Sequence, residues 1–396
     1  MRGIQYHSFV EPSGYGLAGI GYVRALVNAG VPVRWVPVVR VGDDVRPRHP
    51  GDAIPLGMAA NEDESLADLP ALLEATSRPI DCDVVVAHTV PEHWPTLFVP
   101  GKRHVGMTVW ETDRIPAHWR TLLDSAERVI VPCTQNRDVF LAGGVRRPVH
   151  IVPHVRRHAW NAFAPSELDA ARERFGLGDA RFVFYAINAW DPRKALPTLL
   201  TAFVRAFTQE DGVALVLKTG PVGYGAPPFY TVEPTLGMAQ RAVDAATDAL
   251  DRDAPTICVL PYELSGRGVD MVHAIGDAYV SLSHGEGFAL GMFDAATRGT
   301  PAIATGWGGH LDYLAPDWPG AVPYRMASVP VWPPWRPSYW PSQQWAVPDA
   351  DAAIAAMRAL AADPAPARAA AATIAESIAN RYAEPIVAKM FVEALA

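Results

Sequence analysis

Only three cysteines occur in 396 residues, Cys82, Cys133 and Cys258. They lie far apart and none belongs to a Cys-x-x-Cys pair, which excludes a disulfide framework and a CxxC redox or zinc site. Buried thiols in a reducing compartment are the expectation. His-Glu-x-x-His is missing, as is any Cys/His cluster with ligand spacing. Asp81/Asp83, Asp251/Asp253 and Asp349/Asp351 have Asp-x-Asp spacing, but none follows a strand-like run, so no metal is expected. No apolar run approaches ~18 residues, and the start, MRGIQYHSFVEPSG, carries no apolar core of signal-peptide length. These absences predict a soluble, cytoplasmic chain. Positive charge is also short: 34 Lys and Arg face 42 Asp and Glu, a net charge of −8. With no basic stripe interleaved with aromatics, nucleic acid is not an expected partner. The acid is concentrated after residue 165. Either the near-neutral first half lies near an anionic substrate or a lipid surface, or the asymmetry is ordinary surface variation.

What is present is alternation. IQYH, VPVRWVPV, DVVVAH, HVGMTV and RVIVP read as strands, with helices between them such as 17–29 and PAHWRTLLDSA. After Pro153 the pattern restarts with RFVFYAI, VALVLK, TICVL, AYVSL and PAIAT, separated by ALPTLLTAFVRAF and LGMAQRAVDAATDAL. Repeated strand–helix alternation predicts parallel sheets covered on both faces. Two such runs predict an α/β chain of two doubly wound, Rossmann-like domains facing across a cleft: 1–155, and 178–380. Ligands of such sheets sit beyond the carboxyl ends of the strands. Two stretches break the pattern. The Gly/Pro segment 219–234 is longer than an ordinary βα connection. Segment 316–345 has too many prolines for a helix interior and holds Trp318, Trp332, Trp335, Trp340 and Trp345. Both read equally as binding loops or as surface straps. The Ala-rich segment 350–380 is helical by composition, and YAEPIVAKMFVEAL closes the chain as an amphipathic helix.

AYVSLSHGEGFALGMFDAA reads as strand, tight loop and helix. Gly285 and Gly287 let the backbone turn and a ligand approach closely. The amides of Gly287, Phe288, Ala289 and Leu290 are placed at the helix N-terminus, where unpaired N–H groups and the dipole favour an anion such as a pyrophosphate. His284 belongs to the same loop. Asp294 follows Glu286 at a distance that would be a little over two helical turns, able to reach another part of the same ligand. In NAWDPRKALPTLLTAF, Arg193 and Lys194 fall at the start of a helix, a position the dipole disfavours for cations. They either hold a phosphate between them or cap the sheet edge with their stems. Lys218 ends the strand VALVLK and is a third candidate cation. Gly14 and Gly16, in EPSGYGLAG, stand before a helix and can close over phosphates.

Together these segments resemble the GT-B retaining glycosyltransferases of the family 4 type. SHGEGFALGMFDAATRGTPAIATGWGGHLDYL is similar to that family's signature of a Glu, a second acid further on, a Gly-x-Pro strand and a Gly-Gly turn. DPRKALPTLLTAF resembles its phosphate-binding segment, VHIVPHV the end of its first domain, and the last helix, 383–396, the one that crosses back onto that domain. The resemblance spans about 180–315 and is topological over most of 1–148. It implies transfer of a sugar from a nucleoside-diphosphate sugar to the hydroxyl of a glycan, lipid-linked or natural-product acceptor, without metal or other cofactor, and is compatible with peripheral contact at the inner membrane face. Glu286 would contact the transferred sugar, Asp294 the ribose, and Lys194 with Arg193 the diphosphate. Gly14 and Gly16 would match the glycine loop of the first domain. Three positions depart: Asp294 replaces a Glu, Asn188 stands where the family has an Arg, and Trp110 or Glu111 stands where it often has a His. Glu111 or Asp113 would place the acceptor. His88, after DVVVA, is either another cleft residue or a structural one. A sugar-nucleotide epimerase or hydrolase of the same fold, and a non-catalytic sugar-nucleotide-binding subunit, are the alternatives.

Overall fold

A computed structural model describes residues 1–42, 44–49, 52, 54, 62–225, 231–315, 317–331 and 338–396. The chain divides into two compact units, Met1–Ala159 with Ile378–Ala396, and Trp160–Ser377.

The first unit is built on β1 (Ile4–Phe9), β2 (Val33–Val41), β3 (Asp44–Pro47), β4 (Val84–His88), β5 (Arg103–Met107), β6 (Arg128–Val131) and β7 (Val149–Ile151). Their order is β3-β2-β1-β4-β5-β6-β7. All neighbours are parallel except β2 and β3. Strand β4 is buried throughout, as a strand covered on both faces must be. The helix Gly14–Asn28 covers one face. Val387, Phe391 and Leu395 of the last helix, Glu384–Leu395, join Ile4, Tyr22 and Leu26 in the same core.

The second unit carries β8 (Phe182–Ile187), β9 (Val213–Thr219), β10 (Val222–Tyr224), β11 (Val232–Pro234), β12 (Thr256–Pro261), β13 (Ala278–Ser281), β14 (Ala302–Thr305), β15 (Ala321–Val322), β16 (Tyr324–Ser328) and β17 (Gln344–Pro348). Six of them form a parallel sheet in the order β12-β9-β8-β13-β14-β15. This is the doubly wound order, and its direction reverses between β8 and β13. In the first unit the reversal falls between β1 and β4. Both units are therefore Rossmann-like sheets flanked by helices.

Details differ from the sequence reading. The first helix starts at Gly14 rather than near residue 17, because Ser13 caps it by accepting from Gly16 N. Gly14 and Gly16 thus belong to the helix's first turn and not to a loop before it. The Ala-rich segment is two helices, Ala350–Ala362 and Ala365–Arg381, broken where Pro364 forces Asp363 out of the helical region. Of 219–234, the two ends pair as the antiparallel ribbon β10–β11, and 226–230 lie outside the described residues. In 316–345, residue 316 and residues 332–337, with Trp332 and Trp335, lie outside them too. Trp318 and Trp345 are buried, whereas Trp340 is exposed. Cys82 and Cys133 are buried and Cys258 is half-buried.

Candidate functional site

The carboxyl ends of β8 and β13 adjoin at the strand-order reversal of the second sheet, and each is followed by a tight turn. After β8, Asp191 accepts from Arg193 N at 3.0 Å and so caps a single turn of 3-10 helix, Pro192–Lys194. Ala195 then takes a left-handed conformation (φ 49°) before the helix Leu196–Ala206 begins. Arg193 and Lys194 are consequently in a separate turn ahead of the helix and not in its first turn. The sequence pattern could not separate the two, since Pro192 and Pro197 are each acceptable near a helix start.

After β13 the helix begins at Leu290, with Ala289 left-handed (φ 64°) as its N-cap. Gly287 and Phe288 precede it, and so does Glu286. The spacing of Glu286 and Asp294 is therefore not two helical turns: only Asp294 is on the helix Leu290–Thr297. The two turns are stitched together. His284 N donates to Arg193 O at 2.8 Å, and Arg193 Nη1 donates to Gly285 O at 2.5 Å. Lys194 Nζ donates to both carboxylate oxygens of Glu286, at 2.6 and 2.8 Å. Arg193 Nη1 lies 3.5 Å from Glu286 Oε2. Ser283 Oγ donates to Glu286 Oε1 at 2.7 Å and sits 2.9 Å from Ser281 Oγ. Burial alone would push the Glu286 carboxyl up; the charges of Lys194 and Arg193, with these hydrogen bonds, outweigh it and hold the group at about 2.

The Gly-Trp-Gly-Gly turn after β14 supports this arrangement from below. Gly309 N donates to Glu286 O at 2.8 Å. A side chain at Gly308 would meet the His310 ring at 2.7 Å and Glu286 O at 3.2 Å, and its φ of 143° is itself a glycine conformation. His310, fully buried, is held by a 2.8 Å bond between Nε2 and Thr305 O. His284 Nδ1 bonds Ala346 O at 2.8 Å, and its ring stacks on Trp345 at 4.6 Å. Ser281, Ser283 and His310 were not singled out as site residues from the sequence, and Trp345 only as part of a segment that reads equally as a binding loop or a surface strap. The two serines carried a usable signal, because alternate positions leaving a strand share a face. The pairing of β17 with the site carried none.

The remaining candidates are distributed as follows. Lys218, next to the last residue of β9, is half-buried, and burial lowers its pKa while Glu263 opposes the shift. The buried Thr219 and Thr305 hydroxyls, at the ends of β9 and β14, have no hydrogen-bond partner, whereas the side chain of Asn188, the residue after β8, bonds Tyr279. Asp294 acts electrostatically on Tyr279 and Tyr185, which pack edge-on at 5.2 Å. Phe288 turns its ring into the core against Phe293 and Tyr313, which takes the side chain away from a ligand. Leu290 opens the helix and is half-buried.

On the first unit, Gly14 is exposed, whereas a side chain at Gly16 would lie 2.1 Å from Glu11 O. Gly16 is thus required by close backbone approach. Glu111 is half-buried and acts on Tyr15, whose hydroxyl bonds Thr108 Oγ1 at 2.9 Å. Trp110 Nε1 is spent on Thr112 Oγ1 and Arg114 O, at 2.7 and 2.6 Å. His88 is buried, its Nδ1 bonded to Tyr6 Oη at 2.9 Å, with Tyr15 and Tyr22 rings around it. Among the described residues no group of three or more His, Cys, Asp or Glu could hold a metal ion. No helix among them is long and apolar enough to cross a membrane.

No family model matches the chain. Over 188 residues it is 29% identical to the D-inositol 3-phosphate glycosyltransferase of Mycobacteroides abscessus, a match that covers 48% of this chain and 39% of that protein. The chain thus spans well under half the length of this curated relative. Among solved structures it is similar to Anabaena Alr3699/HepE in complex with UDP and glucose, with a TM-score of 0.63 at 13% identity, covering 100% of this chain and 99% of that one. It is also similar to the sucrose-phosphate synthase of Thermosynechococcus elongatus, with a TM-score of 0.63 at 16% identity and coverage of 100% and 98%. These likenesses extend over both units, and the fold of the chain is GT-B.

Proposed function

We propose that the chain is a retaining glycosyltransferase of the family 4 type, moving a sugar from a nucleoside-diphosphate sugar to an acceptor hydroxyl without a metal. The observation that carries this reading is the pairing of Arg193 and Lys194 with Glu286 where β8 and β13 diverge, the place where doubly wound sheets bind their ligands. The half-length similarity to a glycosyltransferase, and a fold shared with a protein crystallised with UDP and glucose, support it.

In this reading the diphosphate lies against Arg193, Lys194 and the amides of Gly287 to Leu290, with Lys218 as a further cation. Glu286 faces the transferred sugar, His284 and Gly285 line its turn, and Asp294 takes the ribose. Gly14 and Gly16 belong to the first unit's glycine segment; Gly16 acts there through backbone shape. Glu111 helps to place the acceptor. The bond from the anomeric carbon to the diphosphate breaks with its electron pair going to the phosphate oxygen. The acceptor oxygen attacks the same face of the sugar and passes its proton to that departing oxygen. Preorganised cations and amides stabilise the charge gathering on the leaving group, and losing one such donor costs about 3–4 kcal/mol in barrier.

A thermal-shift screen of UDP, GDP, dTDP, CMP and their sugars tests the reading. One diphosphate raises the melting temperature of the wild-type chain and fails to do so in Lys194→Ala. The same sugar nucleotide is then consumed only when an acceptor is present, and EDTA leaves the rate unchanged. Consumption without acceptor would favour an epimerase or hydrolase, and a shift from no nucleotide would end the proposal.

A further inference from the structure

The anion seat already contains an anion of its own. Glu286 is 5% exposed, both its carboxylate oxygens accept from Lys194 Nζ, and Arg193 approaches one of them. Ser283 fixes the carboxylate from the other side. The two cations that the proposed function offers to a diphosphate are thus engaged, in this structure, by a side chain from the neighbouring turn.

We infer that Glu286 is a built-in competitor for the diphosphate seat: a nucleoside diphosphate binds by taking Lys194 from the Glu286 carboxylate, and the carboxylate's return assists its release. The inference rests on the nucleoside-diphosphate reading of this site. A carboxylate and a phosphate oxygen call on the same N–H donors, and an ammonium has only three to give. Two of the contacts made by Lys194 are directed at Glu286. A diphosphate placed beside the undisplaced carboxylate would also meet like charge in a buried, weakly screened site. While Lys194 and Arg193 contact it, their charges hold the Glu286 carboxyl well below the usual carboxylate range and keep it ionised. Displacement needs only side-chain rotation. The backbone of Glu286 is tied to Gly309 and that of His284, in the same turn, to Arg193, so the loop stays in place while the carboxylate swings toward the sugar position.

Calorimetric titration of inorganic pyrophosphate and UDP into the full chain tests this. In Glu286→Gln the competitor loses its charge, and both probes are expected to bind about tenfold more tightly, while turnover with the sugar nucleotide falls. Ser283→Ala, which only loosens the carboxylate, gives a smaller gain of about two- to threefold in the same direction. The gain vanishes when Lys194→Ala is combined with Glu286→Gln. Wild-type binding that is unchanged or weakened in both Glu286→Gln and Ser283→Ala would overturn the inference and leave the nucleotide reading standing. Binding of neither probe to any of these chains would overturn both.

Discussion

Two alanines flank the cationic turn and the carboxylate turn, and both are left-handed: Ala195 at φ 49° and Ala289 at φ 64°. An L-residue pays about 1–2 kcal/mol for that conformation, against about 0.5–1 kcal/mol for the extra freedom of a glycine in the unfolded chain. Ala195→Gly and Ala289→Gly should therefore each stabilise the chain by on the order of 0.5–1 kcal/mol in urea unfolding, with no gain in turnover. A loss of stability in both would show that the methyl groups are needed for packing. The residues of this site were legible from the sequence as types: a Glu between glycines, an Arg-Lys pair after a strand. Their mutual contact was not, because an ion pair between residues 92 positions apart has no local pattern. The strain was equally invisible, since alanine signals helix and not a left-handed cap.

At the level of elements, Gly16 shows what kind of inference the sequence supports. Glycines ahead of a helix suggest a loop that approaches a ligand, but the structure places Gly16 inside the first turn against the backbone of Glu11. A methyl group there meets a carbonyl oxygen at 2.1 Å and backbone must move. Gly16→Ala is thus expected to cost at least about 2–3 kcal/mol of stability, read as a lowered melting temperature. A normal melting temperature with weakened substrate binding would instead restore the ligand-facing role. Strands and their order of appearance were legible because fully covered parallel strands are short unbroken apolar runs, as VVVAH in β4 is. The starts of helices were less so. Ser13 is one cap among several polar residues of EPSG, and the 3-10 turn at Pro192–Lys194 imitates a helix start. The ribbon β10–β11 was hidden, because three-residue strands fall below any detectable period.

For the molecule as a whole, the widest consequence of its packing is a dependence of stability on mild acid. His88, with the rings of Tyr6, Tyr15 and Tyr22 around it, and His154, edge-on to Tyr22, are held neutral by burial, each lowered to about 3, His88 also by the nearby His154. His7, on β1, is lowered to about 4 by burial and by Arg34. Burial also lowers His310 in the second unit. A histidine depressed in the folded chain is protonated first in the unfolded one. Its contribution is therefore fully present above pH 6.5, where both states are neutral, and is lost as pH falls from there toward the folded value. At pH 5 each such residue withdraws about 2 kcal/mol, so His7, His88 and His154 together remove about 6 kcal/mol, comparable with the whole stability of an ordinary domain. Carboxylates held low, such as Glu286 at about 2, oppose nothing in this window, because the unfolded carboxyls ionise above pH 4.5 as well. Urea unfolding between pH 7.5 and 5 should accordingly show a steep fall in the transition midpoint, with about three protons taken up in the unfolding of the first unit by the lower end of the range. A midpoint constant across that range would mean that these imidazoles are charged in the folded protein, and that the aromatic cage around His88 is open to water.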